Sequence, residues 1–338
     1  MKCGTFIKLS ASIPPKYNYF VTTSSNLGLL LHISRLHQVV APFDFITLNV
    51  PLKRYISLRV GGNADALALI KTVPDLQRLL QVARQYDLPL YFLGKGTNVI
   101  FTDAGFRGIV VKLGGEFHQF ERLESSLVDG SIEIRAGAAL SLQKLVNYCV
   151  RHHFTGMEEG AGIPASIGGA VAMNAGVPGW EFGDYVTRIE GLTADNQRHA
   201  LMPSDFQFEY RRGNLPPGFV VTHVTIRVKK GDPETIKARV GRIMQIRKSR
   251  QPLQYPNCGS VFKNPPGDYA GRLIETCGLK GYRIGGALIS EKHANFIINP
   301  SGEAPAADVL HLIDLAQETV WSHHHVQLET EVQIIPPQ

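Results

Sequence analysis

The 338-residue sequence is short of the residues that build metal or disulfide scaffolds: it has four cysteines, Cys3, Cys149, Cys258 and Cys277, and no CxxC pair. That spacing excludes zinc ribbons and redox pairs, and a chain of this size needs no staples, so reduced thiols in a cytoplasmic compartment are expected. Long apolar runs are also missing. The longest candidate, LGLLLHISRL, is interrupted by His32 and Arg35, well short of the ~20 residues that span a bilayer. Acids are absent from residues 1–43, which carry Lys2, Lys8, Lys16 and Arg35; without those four the net charge falls from +6 to +2. Most of the basicity therefore belongs to this leader, and the body carries no footprint for nucleic acid. The leader's Ser and Thr content resembles an organellar presequence. No cleavage site or arginine bias accompanies it, and a disordered extension or a rarely used upstream start is the preferred reading.

A hydrophobic content of 44% with 19% charged residues is that of an ordinary globular chain whose length calls for two or three lobes. Ordered structure is expected from near Phe45. ADALALI reads as a strand, and PDLQRLLQVARQYDL as a helix with Leu76, Leu79, Leu80, Ala83 and Tyr86 on one face. PLYFLG and GIVVKL complete a strand–helix–strand unit over 44–113. A second lobe, 114–229, holds SIEIRAGA, a helix capped by Ser141, a glycine-rich block, and the strands VTRIEGLTA and THVTIRVKK. The third, 230–338, opens with a helix that has Asp232 as N-cap, Pro233 at its first position, and a stripe of Ile236, Val240, Ile243 and Ile246. GGALIS, NFIIN, a helix from about Pro305 to Trp321, and a final strand VQLETEVQII follow.

Three stretches invite chemistry. In LGKGTNVIF, Gly94 and Gly96 flank Lys95 ahead of Thr97 and Asn98. Glycines let backbone N–H groups close on an anion, but Val99 stands where a GxGxxG fingerprint needs glycine, and there is no P-loop. GMEEGAGIPASIGGAVAMNAG, 156–176, is rich in small residues yet too apolar for a linker, with Ile163, Ile167, Val171 and Met173. Such a loop suits backbone passing beside a large flat ligand with a pyrophosphate. In FEYRRGNL, Arg211 or Arg212 could clamp an anion; a solvated surface pair is the preferred reading for Arg212. PNCGSVFKNP sets Cys258 and Ser260 on either side of Gly259, as nucleophile, acid or tight turn. On a final strand Glu329 and Glu331 share one face, ordinarily the wet one. His323, His324 and His325 would alternate sides with no ligand spacing, so no metal is expected.

In order, YISLRVGGNADA, LPLYFLGKGTNVIFTDAGFRGIVVKL, GMEEGAGIPASIGGAVAMNAGVPG, FEYRRGNL, NCGSVFKNP, AGRLIETCGLKGYRIGGALISEKHANFIIN and LETEV resemble the motif series of the UDP-N-acetylenolpyruvoylglucosamine reductase (MurB) family. The likeness runs from about Leu52 to Ile335. It implies an α+β fold, a two-lobed FAD-binding unit of the vanillyl-alcohol-oxidase (PCMH) type with a C-terminal α+β substrate-binding domain. It also implies FAD reduced by NADPH, and reduction of UDP-N-acetyl-3-O-(1-carboxyvinyl)glucosamine to UDP-N-acetylmuramate, a peptidoglycan precursor. The flavin would contact Gly94, Lys95, Gly96, Thr97 and Asn98, and Gly162, Ile163, Pro164, Ser166, Gly168, Gly169 and Ala170. Arg211 and Glu331 would stabilise carbanion character beside the substrate carboxylate, and Ser260 would protonate carbon. Tyr210, Lys263 and Asn264 would contact substrate. A carboxyl in that role helps only if protonated or hydrogen-bonded, so a raised pKa is expected for Glu331. A cytoplasmic monomer with small-molecule partners, and neither membrane nor nucleic acid, completes the expectation.

Three departures from the family pattern stand out. Gly213 replaces a frequent Ser, His324 and His325 stand where Gly is common, and the short span from Arg211 to Ser260 lacks an inserted tyrosine-bearing loop. The competing readings are an FAD-dependent sugar or aldonolactone oxidase of the same fold, a thiol hydrolase using Cys258 and His293, and a non-catalytic nucleotide-sugar binder. Ser260 and Glu331 weigh against the oxidase, which needs no acid to protonate carbon.

Overall fold

The computed structural model describes residues 36, 38–123 and 130–336. Most of the leader lies outside the described residues, but Leu36, Val40 and Phe43 at its end are buried against Leu76 and Leu79.

A four-stranded sheet is built from β1 (Ile46–Pro51), β2 (Asn63–Ile70), β3 (Leu90–Phe92) and β5 (Phe106–Leu113) in the order β1-β2-β5-β3. β2 and β3 run parallel to β5, and the crossover from β2 is α1 (Val73–Gln85). Central parallel strands are covered on both faces, which is why Ala64, Ala66, Leu67, Ala68 and Ile70 are all buried. Thr72 caps α1 through the Asp75 N–H at 3.3 Å, and Pro74 occupies its second position, where a missing N–H costs nothing.

Antiparallel strands β6 (Phe120–Arg122), β7 (Ile132–Gly137), β11 (Val186–Leu192), β12 (Arg198–Leu201) and β13 (Val220–Lys230) make a second sheet in the order β12-β11-β13-β7-β6, with β8 (Phe154–Thr155) pairing the end of β13. Val224, Ile226 and Val228 face its core. α2 (Leu142–Arg151) covers that face with Leu142, Leu145, Val146 and Cys149, the i, i+3, i+4, i+7 stripe of a half-buried helix. The glycine-rich block folds into the short α3 (Ile167–Ala172), followed by the hairpin β9 (Gly176–Val177) and β10 (Trp180–Glu181).

α4 (Pro233–Arg250) begins on Asp232, whose Oδ2 accepts the Thr235 N–H at 2.8 Å. Its buried face departs from expectation. Ile236, Val240 and Ile243 turn inward but Ile246 is 41% exposed, and the next inward position is Arg247. α5 (Ala270–Thr276), the small sheet β14 (Arg283–Ile284), β15 (Ala287–Ile289) and β16 (Ile297–Ile298), and α6 (Ala306–His324) complete the C-terminal part. One core joins it to the first sheet: Leu52, Leu58, Ile100 and Phe101 pack with Val261, Phe262, Leu312 and Val332.

The C-terminal stretch also differs from the single strand expected. α6 runs through His324, and His325 ends it in the left-handed region at φ 54°, so the histidines do not alternate on a strand. Only Gln333–Ile335 forms β17, which pairs parallel with β4 (Val99–Phe101). A single bridge, Phe262 to Thr330, precedes it. β4 follows directly on the Gly94–Asn98 loop, so this pairing brings Glu331 to that loop.

Candidate active site

Glu209 and Arg212 exchange both backbone hydrogen bonds, at 2.9 and 3.0 Å. They close a tight turn with Tyr210 and Arg211 at its tip. Arg211 takes φ 59°, the left-handed value that a type II turn requires at its third position and that glycine usually supplies. The strain presents the guanidinium inward: Nη2 donates to the Gly176 carbonyl at 2.9 Å, and Nε lies 2.9 Å from Glu331 Oε1. The pair is coulombic rather than a straight hydrogen bond, because no acceptor lies along the buried Nε–H direction. Gly213 packs on the α3 backbone, and a Cβ there would overlap the Val171 carbonyl. The hydroxyl that the family often carries at this position has no room here.

Glu331 is fixed through its backbone. Its N–H donates to the Val261 carbonyl at 2.8 Å, and its carbonyl accepts Asn98 Nδ2 at 3.1 Å. Its neighbour Glu329 is exposed and pairs with Lys263 at 2.5 Å, whereas Glu331 is four-fifths covered. Burial raises the Glu331 carboxyl above the usual carboxylate range, and Arg211 and Lys263 pull it only part of the way back. The direction is the one expected from its chemistry. An open cleft of about 650 Å³ joins Arg211, Lys263 and Glu331 with Met173 and Gln333.

The other expected residues are placed unevenly. Ser260 lies outside that cleft's lining, one residue before the Val261 carbonyl that holds Glu331. No described residue hydrogen-bonds its hydroxyl, and Gly259, at φ 75°, has open space where a side chain would stand. The Asn257 side chain closes that turn by accepting the Gly259 N–H at 3.0 Å. Cys258 is fully buried and its thiol is pushed up to about 12, so no thiolate nucleophile is present and a thiol hydrolase has no basis. Tyr210 receives the Asn264 N–H at 3.4 Å, and the Arg211 guanidinium lies 4.9 Å from the Tyr210 ring centroid. Asn264 turns its Oδ1 to the Ala270 N–H at the start of α5, at 3.2 Å. Arg212 is exposed. Among the described residues no cluster of three metal-ligating side chains occurs, and no helix is long and apolar enough to cross a membrane.

The two glycine-rich loops meet across the sheets. Thr97 Oγ1 donates to the Pro164 carbonyl at 2.7 Å, and a Cβ on Gly94 would lie 2.6 Å from Ser166 Oγ. Ser166 caps α3 through the Gly169 N–H at 3.2 Å, while the Ile167, Gly168 and Ala170 N–H groups donate within the protein. Ser141 stands at the N-cap of α2 but does not cap it; its hydroxyl receives Lys95 Nζ at 3.2 Å instead. Gly96 takes φ 67°, and any side chain there would strike the Tyr55 carbonyl. Periodicity gave no sign of Lys112. Its Nζ donates to the Gly94 carbonyl at 2.6 Å, and burial lowers its pKa.

Residues 64–201 match a family model described as an FAD binding domain. Residues 251–335 match one described as UDP-N-acetylenolpyruvoylglucosamine reductase, C-terminal domain. The fold and the two family matches thus define an FAD-dependent oxidoreductase with a C-terminal domain characteristic of one reductase family. More narrowly, the chain belongs to the UDP-N-acetylenolpyruvoylglucosamine reductase family. It is 41% identical to UDP-N-acetylenolpyruvoylglucosamine reductase 2 of Symbiobacterium thermophilum over 301 residues, covering 89% of this chain and 95% of that one. The Moorella thermoacetica reductase is 43% identical over 289 residues, 86% and 93% of the two chains. The crystal structure of the Thermus caldophilus reductase superposes with a TM-score of 0.73 at 37% identity, covering 86% of this chain and 98% of that one.

The residues present fit FAD. None of the backbone N–H groups from Gly94 to Thr97 donates to another described residue, which leaves a run of uncommitted donors where the Gly94 backbone closely approaches the Ser166 hydroxyl. That combination suits a pyrophosphate flanked by a flat ring.

Proposed function

We propose that the protein is an NADPH-dependent reductase of UDP-N-acetyl-3-O-(1-carboxyvinyl)glucosamine, giving UDP-N-acetylmuramate. The observation that carries this reading is the Arg211–Glu331 pair, a guanidinium beside a carboxyl whose pKa burial raises. Bound FAD, reduced by NADPH, supplies the hydride for the vinyl carbon of the substrate.

The protein's part is to stabilise and quench the charge that develops beside the substrate carboxylate. Arg211 balances the negative oxygens, and protonated Glu331 donates a hydrogen bond rather than adding repulsion. Ser260, without a hydrogen-bond partner among the described residues, gives its proton to the carbon bearing the carboxylate. A hydroxyl is a weak acid, but an aci-carboxylate is a strong base, so the transfer is feasible when the geometry is held. Lys263 lines the cleft with Arg211 and exchanges Glu329 for the substrate's anionic groups, while Tyr210 lies beside the Arg211 guanidinium as a further substrate contact. The Gly94–Asn98 and Gly162–Ala170 loops hold the dinucleotide.

An oxidase of the same broad fold would leave the buried acid without a task. Steady-state NADPH oxidation distinguishes the two. Consumption should depend on the enolpyruvyl nucleotide sugar and give a product two hydrogens heavier. Turnover of aldoses or aldonolactones with oxygen instead would contradict the reading.

A further inference from the structure

The inward face of α4 ends on a charge. Ile236, Val240 and Ile243 lead to Arg247 at helical spacing, while Ile246 points to solvent. The Arg247 side chain runs over Gly162, where an added Cβ would stand 2.8 Å from Nε and 3.0 Å from Cδ. Gly162 itself takes φ 76° and donates its N–H to Gln143 Oε1 at 2.7 Å, so the turn under the arginine is fixed. Nε is buried with no hydrogen-bond partner, and among the described residues no carboxylate pairs with this guanidinium. Burial lowers its pKa, as for a cation without compensation. Arg239, two turns earlier on the same helix, has Glu159 at 2.5 Å; Arg247 has no such partner. A buried Nε–H without an acceptor beside the proposed flavin loop is costly unless a ligand supplies one.

We propose that Arg247 is a cofactor-binding residue whose guanidinium, already lying over the Gly162 turn, takes anionic or carbonyl oxygens of FAD. This rests on the flavin reading above. Two parts of FAD offer such oxygens, the pyrophosphate and the pyrimidine end of the ring, and they have different consequences. A cation at the ring favours the reduced, anionic flavin and raises its potential; one at the pyrophosphate changes affinity alone.

The test compares wild type, Arg247→Met and Arg247→Lys, each stripped of FAD and titrated with it, with the potential of the bound flavin and the melting temperature of the apoprotein measured alongside. Arg247→Met should bind FAD about tenfold or more weakly, the scale of one lost charge-assisted hydrogen bond. Its apoprotein should melt no lower than wild type, because an uncompensated charge has been removed. Arg247→Lys should recover part of the affinity. A more negative potential in Arg247→Met places the guanidinium at the ring, and an unchanged one places it at the pyrophosphate. FAD affinity and potential both equal to wild type would overturn the proposal, including the case where only the KM for the nucleotide sugar rises. A fall in apoprotein stability with unchanged affinity would make Arg247 a packing residue and overturn it too. Failure of the wild-type protein to bind FAD would instead overturn the flavin reading on which it rests.

Discussion

The Arg211 guanidinium stands 2.9 Å from the Glu331 carboxylate, yet the Glu331 pKa is raised. A paired cation alone would lower it. Burial outweighs both the charge and the hydrogen bonding of Arg211 and the charge of Lys263. The result is a carboxyl more easily protonated than an ordinary one beside a fixed positive charge, which suits the proposed stabilisation of a developing carbanion.

Replacing Glu331 by Gln should lower kcat while leaving reduction of the flavin by NADPH intact. In the wild type, activity should fall as pH rises through the elevated Glu331 value, and Glu331→Gln should lose that limb. Stability carries the same sign. A carboxyl raised in the folded state binds its proton there when the unfolded chain has lost it, so stability declines as pH rises from about 4.5 through the folded value. Chemical denaturation across that range should show a flatter profile for Glu331→Gln.

Ser260→Ala should leave NADPH-driven flavin bleaching unchanged and slow reduction of the vinyl ether by about 100-fold or more, the scale of a lost general acid. Cys258→Ala should change neither half-reaction and should cost about 1–2 kcal/mol in stability, because Cys258 fills the core. Rapid-mixing absorbance of the two half-reactions separates these outcomes.

Arg211→Lys should lower kcat for the nucleotide sugar by about 100-fold, since an ammonium cannot reproduce the guanidinium's fixed fork. The turn should survive, because both backbone hydrogen bonds between Glu209 and Arg212 are independent of the side chain. Intact flavin binding and reduction in this variant would confirm that the loss is confined to the substrate step.

His325 closes α6 in the left-handed region, its N–H donating to the Trp321 carbonyl at 2.9 Å. Glycine takes that conformation without penalty, so His325→Gly should stabilise the protein by about 1 kcal/mol. Calorimetry should show a melting temperature higher by about 2 °C with activity unchanged.

Local chemistry made much of this legible. The alternation in β13, the α2 stripe, and the Asp232 cap with Pro233 behind it are short-range signals, and each folds as its residues direct. The candidate site was read from motif order rather than periodicity. Glu329 and Glu331 alternate identically in sequence, and only the pairing of β17 with β4 and the bridge from Phe262 to Thr330 expose one and bury the other. Ser141 shows how a local rule yields to a distant partner: it has a cap's identity and position, but Lys95 arrives from the other sheet and takes its hydroxyl. Ile246 leaves the expected stripe and Arg247 turns inward in its place, because hydrophobic spacing alone does not reveal that Gly162 lies under the arginine. Lys112 was hidden in a strand's regular pattern, since nothing local marks the Gly94 carbonyl it reaches.

The account turns on two half-reactions meeting at one flavin, and anaerobic absorbance of the purified protein reads both. NADPH should bleach the flavin, and the enolpyruvyl nucleotide sugar should restore its colour faster than air does. A protein that binds no FAD, or a reduced flavin that reoxidises with oxygen but not with that substrate, would contradict it.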